Sequence, residues 1–168
     1  MKLLFVIDYQ NDFVLGALST QGAELLDKGI AELVREYGVG HVYYTVDCHG
    51  DEFAKSREAK YVRVHCKSGS WGCEIYGETR KALAEVSARA IKKSTFAPQI
   101  LKLPDTVGAI ELCGLLTDMC VLSSAVVLAT KYPDATIKIN SRLCLGSTPN
   151  AHTNALGIMR GLNMEIIC

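Results

Sequence analysis

Three observations predict an α/β fold with a three-layer, doubly wound, mostly parallel sheet of about six strands. Strand-like and helix-like apolar patterns alternate along the whole chain, as in successive crossovers rather than segregated layers. The first run, Leu3-Leu4-Phe5-Val6-Ile7, is apolar without alternation, as in a strand covered on both faces. The length of 168 residues suits one such domain, here taken as residues 1–168, and is too short for two ordinary ones.

Each element has its own signal. Gly22 to Tyr37 carries Leu25, Leu26, Ile30, Leu33 and Val34 at helical spacing, and Gly38 and Gly40 close it. His41 to Val46, rich in aromatic and β-branched residues, is the second strand. Residues 50–74 are irregular, with a short extended piece predicted at Tyr61 to Val64. A helix over Glu74 to Val86 leads to a third strand, Ala88 to Lys93, and Val107 to Cys113 is the fourth. Gly114 reads as a tight turn and Thr117 as the N-cap of a helix over Asp118 to Thr130. Ala135 to Asn140 is the fifth strand. Ser147-Thr148-Pro149 starts a helix that Gly161 stops, and Asn163 to Ile167 is the last strand.

Composition narrows the function classes. Apolar residues make up 49% and charged residues 21%, typical of a soluble globular protein. Lys plus Arg equals Asp plus Glu at 18 each, which argues against nucleic acid or an anionic membrane as partner. Zero formal net charge does little to oppose self-association, so a homo-oligomer is compatible with it. Seven cysteines without scaffold spacing indicate free thiols and hence the cytoplasm. The N-terminal apolar run stops at Asp8, short of a signal peptide, and no run reaches transmembrane length.

In doubly wound sheets ligands bind beyond the carboxyl ends of the strands. Asp8, Asp47, Lys93 and Cys120 each stand just past a different predicted strand. Cys120 falls in the first turn of its helix, where unpaired N–H groups are expected to lower a thiol's pKa. Asp8 is a candidate base for that thiol. Neighbours in a strand point to opposite faces, so one of Lys92 and Lys93 turns inward, and an inward Lys93 would hold a thiolate. Asp47, His49 and His65 form a candidate metal site that leaves coordination positions open, as catalytic zinc sites do. A closed zinc site using Cys48, Cys66 and Cys73 is the rival, although their spacing matches no zinc-ribbon pattern. Cys144 competes with Cys120, but the next helix starts too late to act on it. His41 and His152 read as structural.

These residues resemble the isochorismatase-like cysteine hydrolase superfamily and, within it, the nicotinamidases, in order and over nearly the whole chain. Ile7-Asp8-Tyr9-Gln10-Asn11-Asp12-Phe13 is similar to the family's first-strand motif, Lys93-Ser94-Thr95-Phe96 to its lysine element, and Gly114-Leu115-Leu116-Thr117-Asp118-Met119-Cys120-Val121 to its nucleophile signature. Asp47-Cys48-His49, His65-Cys66 and Gly72-Cys73-Glu74 are similar to the nicotinamidase metal strip. The resemblance implies an Asp8, Lys93, Cys120 triad, and Asp47, His49 and His65 holding a divalent metal, zinc first, with iron or manganese as alternatives. It also implies a cis peptide before Leu116, with the N–H groups of Leu116 and Cys120 facing an oxyanion, and Phe13 stacked on a small amide substrate, nicotinamide first. Among the departures from the family pattern, Cys48 replaces an aromatic residue and the 50–61 loop is shortened. Trp71 is then expected to supply an aromatic wall. Two other readings stay open: a metal-independent cysteine hydrolase of another small amide or carbamoyl compound, and a non-catalytic metal- or thiol-binding member of the fold.

Overall fold

The computed structural model describes residues 1–99 and 103–168. Six strands form one sheet in the order β3-β2-β1-β4-β5-β6, and every pairing is parallel. They are β1 (Lys2–Ile7), β2 (Val42–Asp47), β3 (Arg89–Lys93), β4 (Ala109–Leu115), β5 (Thr136–Leu145) and β6 (Glu165–Ile167). The helices are a single turn α1 (Asn11–Val14), then α2 (Asp27–Tyr37), α3 (Gly77–Glu85), α4 (Leu122–Lys131) and α5 (Pro149–Gly161). Right-handed crossovers place α2 and α3 on one face and α4 and α5 on the other. Leu3 to Ile7 of β1 are fully buried between these layers, which is why that run lacks polar alternation. The chain leaves β1 toward β2 and β3, then returns to the opposite side for β4. The switch point therefore lies between the carboxyl ends of β1 and β4, where Asp8 and Cys120 emerge.

Several elements depart from the sequence expectation. The second helix starts at Asp27, because Ala23–Leu26 tighten into a 3-10 turn whose Ala23 carbonyl accepts the Tyr9 hydroxyl at 2.7 Å. Leu25 is accordingly exposed. Helix α3 starts three residues late, at Gly77, where the Asp27 carboxylate accepts the Glu78 and Thr79 amides at 2.7 and 2.9 Å. That cap comes from another helix. No strand forms at Tyr61 to Val64; Tyr61 instead ends a 3-10 turn, Glu58–Lys60. Gly114 is not a turn. It lies inside β4 at φ 111°, paired with Ile7 and Cys144, and a Cβ there would collide with the Ile7 backbone. β5 runs on to Leu145 through an irregularity opposite Leu112 and Gly114, so Cys144 is a buried strand residue rather than a strand exit.

Thr117 does not cap a helix with its side chain. Residues Thr117–Val121 form a π-helical turn, and the Leu116 carbonyl accepts the Met119 and Val121 amides, both at 3.1 Å. The Thr117 hydroxyl pairs instead with His152 Nδ1 at 2.8 Å, joining this turn to α5. Asp118 accepts both the amide and the hydroxyl of Ser147, at 2.8 and 2.6 Å, and so ties the same turn to the loop after β5. The peptide bond between Leu115 and Leu116 is cis.

Candidate active site

The strand ends bring their reactive side chains to one point. Lys93 lies on β3, two strands or about 10 Å from β1, and its long stem crosses β2. Its Nζ stands 2.7 Å from Asp8 Oδ2, 3.5 Å from Asp47 Oδ1 and 3.5 Å from Cys120 Sγ. Lys92 faces the opposite way and is exposed. Asp8, in the left-handed region at φ 44°, is fully buried. Its Oδ1 accepts the Thr45 hydroxyl at 2.6 Å, and the Asp8 amide donates to Thr45 Oγ1 at 3.0 Å. Thr45, a polar residue on the same strand face as Asp47, escaped the sequence reading because β-branching alone accounted for it.

Burial sets the resting protonation. Loss of water pushes the Asp8 carboxyl above its ordinary value, against the opposing pull of Lys93. Burial and the neighbouring Asp8 charge push the Cys120 thiol well up, and Lys93 only partly offsets them. The expected helix-dipole activation of Cys120 is therefore not what the structure shows. In the π-helical turn the resting sulfur is a thiol, with Lys93 Nζ 3.5 Å away. Burial opposes charge on Lys93 too, but the Asp8 and Asp47 carboxylates outweigh it and hold the ammonium charged.

Asp47, His49 and His65 meet beside this group. His49 Nε2 and His65 Nε2 lie 3.1 and 3.2 Å from Asp47 Oδ2, and all three side chains are buried. His65 Nδ1 is 3.0 Å from the Arg63 carbonyl, so that nitrogen carries a proton and Nε2 is the one that faces Asp47. Burial disfavours the charged His65 ring, yet Asp47 and the Arg63 carbonyl raise its pKa overall. Burial likewise works against the Asp47 carboxylate, but the two imidazoles and Lys93 leave its pKa lowered. The residues fit a divalent cation. Ligand bonds of about 2.0–2.2 Å in a tetrahedral site put neighbouring donors roughly 3.3 Å apart, close to the 3.1 and 3.2 Å that separate the two imidazole nitrogens from Asp47 Oδ2. Asp47 Oδ1 is also buried without a hydrogen-bond partner. Among the described residues no Cys-containing cluster offers an alternative metal site.

Two further groups at this pole were not foreseen. Phe53 packs against both imidazoles, with ring centres 4.5 Å from His49 and 5.4 Å from His65. Glu58 Oε1 stands 3.8 Å from His65 Nε2. Both lie in the 50–61 stretch, whose lack of periodicity offered no signal for them.

A cavity of about 1060 Å³ opens over the two groups. Phe13, Asp47, Glu58, His65, Lys93 and Cys120 all line it, together with Leu116 and Phe96. The Phe13 ring centre is 5.5 Å from that of His65. Trp71 does not line it, contrary to expectation. It is exposed and borders a separate shallow depression near Glu74 and Arg80, because Asn11 Nδ2 donates to the Trp71 carbonyl and turns that segment outward.

The Isochorismatase domain family matches residues 2–168. The chain belongs to the isochorismatase family. A relative in Bacillus subtilis (strain 168), the uncharacterized isochorismatase family protein PncA, is 30% identical over 140 residues, 74% of this chain and 76% of that protein. Among solved structures, nicotinamidase PncA from Bacillus subtilis superposes with a TM-score of 0.87 at 24% identity, covering 99% of both chains. Pyrazinamidase of Pyrococcus horikoshii in complex with zinc superposes at 0.79 and 20% identity, covering 99% of this chain and 98% of that one. These structures share the isochorismatase fold found here. In this member of the family the sheet edge carries both an acid–amine–thiol group and an acid–imidazole group within one cavity.

Proposed function

We propose that the protein is a cysteine amidohydrolase that cleaves the C–N bond of a small amide, nicotinamide first, releasing ammonia. The carrying observation is the position of Lys93 Nζ, within 3.5 Å of Asp8, Asp47 and Cys120 at the floor of one cavity. The names of the fold neighbours, nicotinamidases and pyrazinamidases, support the reading.

The chemistry follows from the resting thiol. Asp8 takes the Cys120 proton as the sulfur attacks the amide carbon, and Lys93 holds the charge that passes between them. The N–H groups of Leu116 and Cys120 stabilise the oxyanion. Asp8 then returns the proton to the departing nitrogen, ammonia leaves, and a thioester remains on Cys120. Water, with its proton taken by Asp8, hydrolyses that thioester and restores the thiol. Asp47, His49 and His65 would hold a divalent metal, zinc first. When bound, that ion supplies a Lewis-acid anchor for a ring nitrogen. Phe13 stacks against the ring and fixes its plane. The reading treats residues 1–168 as one hydrolase domain acting in the cytoplasm. Its test is ammonia release from nicotinamide by the zinc-loaded protein, compared with Cys120→Ala; equal turnover by the two proteins would reject it.

A second reading rests on the cavity itself. At about 1060 Å³ it lies just above the range of about 300–1,000 Å³ for drug-sized ligands, so a bulkier amide or carbamoyl compound also fits. A panel of amides of increasing size, assayed for ammonia, separates the two.

A further inference from the structure

Asp12 stands in α1 between Asn11 and Phe13 and takes no part in the hydrolysis proposed above. Its two carboxylate oxygens are spent on backbone amides of two separate segments. Oδ2 accepts the Cys66 amide at 2.6 Å, and Oδ1 accepts the Ala17 amide at 3.0 Å.

The first bond leads to the imidazole group. Cys66 follows His65 directly and has φ 44°, a left-handed conformation that a residue with a Cβ keeps only where its surroundings impose it. Asp12 holds its amide, and its carbonyl accepts the His49 amide at 3.0 Å. Cys66 thus joins the two segments that carry the imidazoles, and Asp12 is the side chain that pins it. The second bond leads to the cavity wall. Ala17 belongs to the 16–20 segment, every residue of which lines the cavity. The same segment folds back on α1, where the Asp12 carbonyl accepts the Leu18 amide at 2.9 Å and the Phe13 carbonyl accepts the Thr20 amide at 3.0 Å. A Cβ on Gly16 or Gly72 would collide with the Asp12 carboxylate. Neither glycine has a left-handed backbone, so room for that carboxylate accounts for both.

We propose that Asp12 is a positioning residue: through Cys66 and Ala17 it fixes His49 and His65 relative to the cavity wall, and so sets both the hold on a divalent cation and the fit of the amide substrate. The inference rests on the function proposed above. The role requires a carboxylate and not only its shape. Both partners are N–H donors, so both side-chain atoms facing them must accept. Asparagine has the same outline but a single accepting oxygen, and its NH2 group would face the other amide, donor against donor. Asp12→Asn therefore breaks one of the two bonds without a change of volume. Gly72→Ala reaches the same point from the other side, because its methyl group takes the space of Oδ2, the oxygen bound to Cys66.

The test compares both variants with the parent for three quantities: the zinc Kd from a chromophoric chelator, kcat and KM for nicotinamide at saturating zinc, and the rate of Cys120 alkylation by iodoacetamide. The zinc Kd should weaken by about tenfold or more, as when a partner behind metal ligands is lost. KM should rise severalfold while kcat and the alkylation rate stay near the parent's, the pattern of lost binding rather than lost chemistry. Asp12→Asn and Gly72→Ala together should weaken zinc binding no further than the larger single change, because both act through one carboxylate. An unchanged zinc Kd and KM in both variants overturns the inference. A fall in kcat and alkylation in step with the zinc Kd also overturns it, since that marks general disorder at the strand ends. Should Asp12→Asn fail to fold, Gly72→Ala decides alone. A parent that binds zinc but releases no ammonia rejects the proposed function, and the zinc Kd of the variants still decides this inference. A parent that binds no zinc overturns the inference, while its ammonia release decides the hydrolysis separately.

Discussion

The two groups on the cavity floor are held in place by different means. Asp8, Lys93 and Cys120 stand on strand ends or one turn beyond, so the ladders joining β3, β2, β1 and β4 set their positions. They pair chiefly with one another and with Thr45 and Asp47. Of the imidazole group only Asp47 belongs to a strand. His49, Phe53, Glu58 and His65 are carried by a stretch of 3-10 turns with one isolated β-bridge at His49, and local contacts orient them: the His49 amide on Cys66, His65 Nδ1 on Arg63, the Phe53 ring beside both imidazoles. The nucleophilic group is therefore rigid by architecture. The imidazole group is the one that a local change can retune.

The largest expected effect tests the rigid group. Cys120→Ala should lower ammonia release by on the order of 10⁴-fold or more, with the thermal midpoint nearly unchanged, because a small side chain is lost without disturbing a ladder. Activity above about one per cent of the parent would place the nucleophile elsewhere. Asp8→Asn comes next. It removes the base, costing about 10²–10⁴-fold in rate, and leaves the Lys93 ammonium with only Asp47 nearby. Denaturant unfolding should then show a loss of about 3 kcal/mol, typical of breaking a buried pair.

The pH profile of kcat/KM sharpens the same assignment. Asp8 must be ionised to accept a proton and its pKa lies above 3.8, so activity should fall on an acid limb with a midpoint above that value. The Cys120 thiol titrates well above 9.0, so no gain should appear near 9.0. A rise there would mean a thiolate that forms independently of Asp8.

For the imidazole group, His65→Ala should weaken zinc binding by about 100-fold or more and lower kcat/KM for nicotinamide. Alkylation of Cys120 by iodoacetamide should stay at the parent rate. A parallel loss of alkylation would show that the two groups are not separable. The smallest effects concern the walls. Phe13→Ala should raise KM by about tenfold, in line with one lost apolar contact surface, while Trp71→Ala should stay within about twofold.

Much of this was legible in the chain itself, for definite reasons. A strand buried on both faces cannot hide its apolar run, so Leu3 to Ile7 marked the centre of the sheet and Asp8 its exit. Opposite-facing neighbours explain why one of Lys92 and Lys93 turns inward. Trp71, Glu58 and the protonation of Cys120 were not legible. The outward course of Trp71 depends on Asn11, 60 residues away, and Glu58 reaches His65 across a loop with no period. The helix-dipole expectation for Cys120 failed because it counted local amides and omitted the burial that dominates.

The chain by itself determined what local periodicity and residue chemistry encode: the alternation of strands and helices, the parallel sheet, and which side chains stand at strand exits. Only the tertiary structure decided matters that join distant segments. These include the strand order that brings Lys93 within reach of both Asp8 and Cys120, the Asp27 cap that delays α3, and Gly114 as a strand residue pressed against Ile7. The physical reason is that hydrophobic pattern and propensity act over a few residues. Charge pairing, close backbone approach and desolvation depend on which residues meet once the sheet has closed.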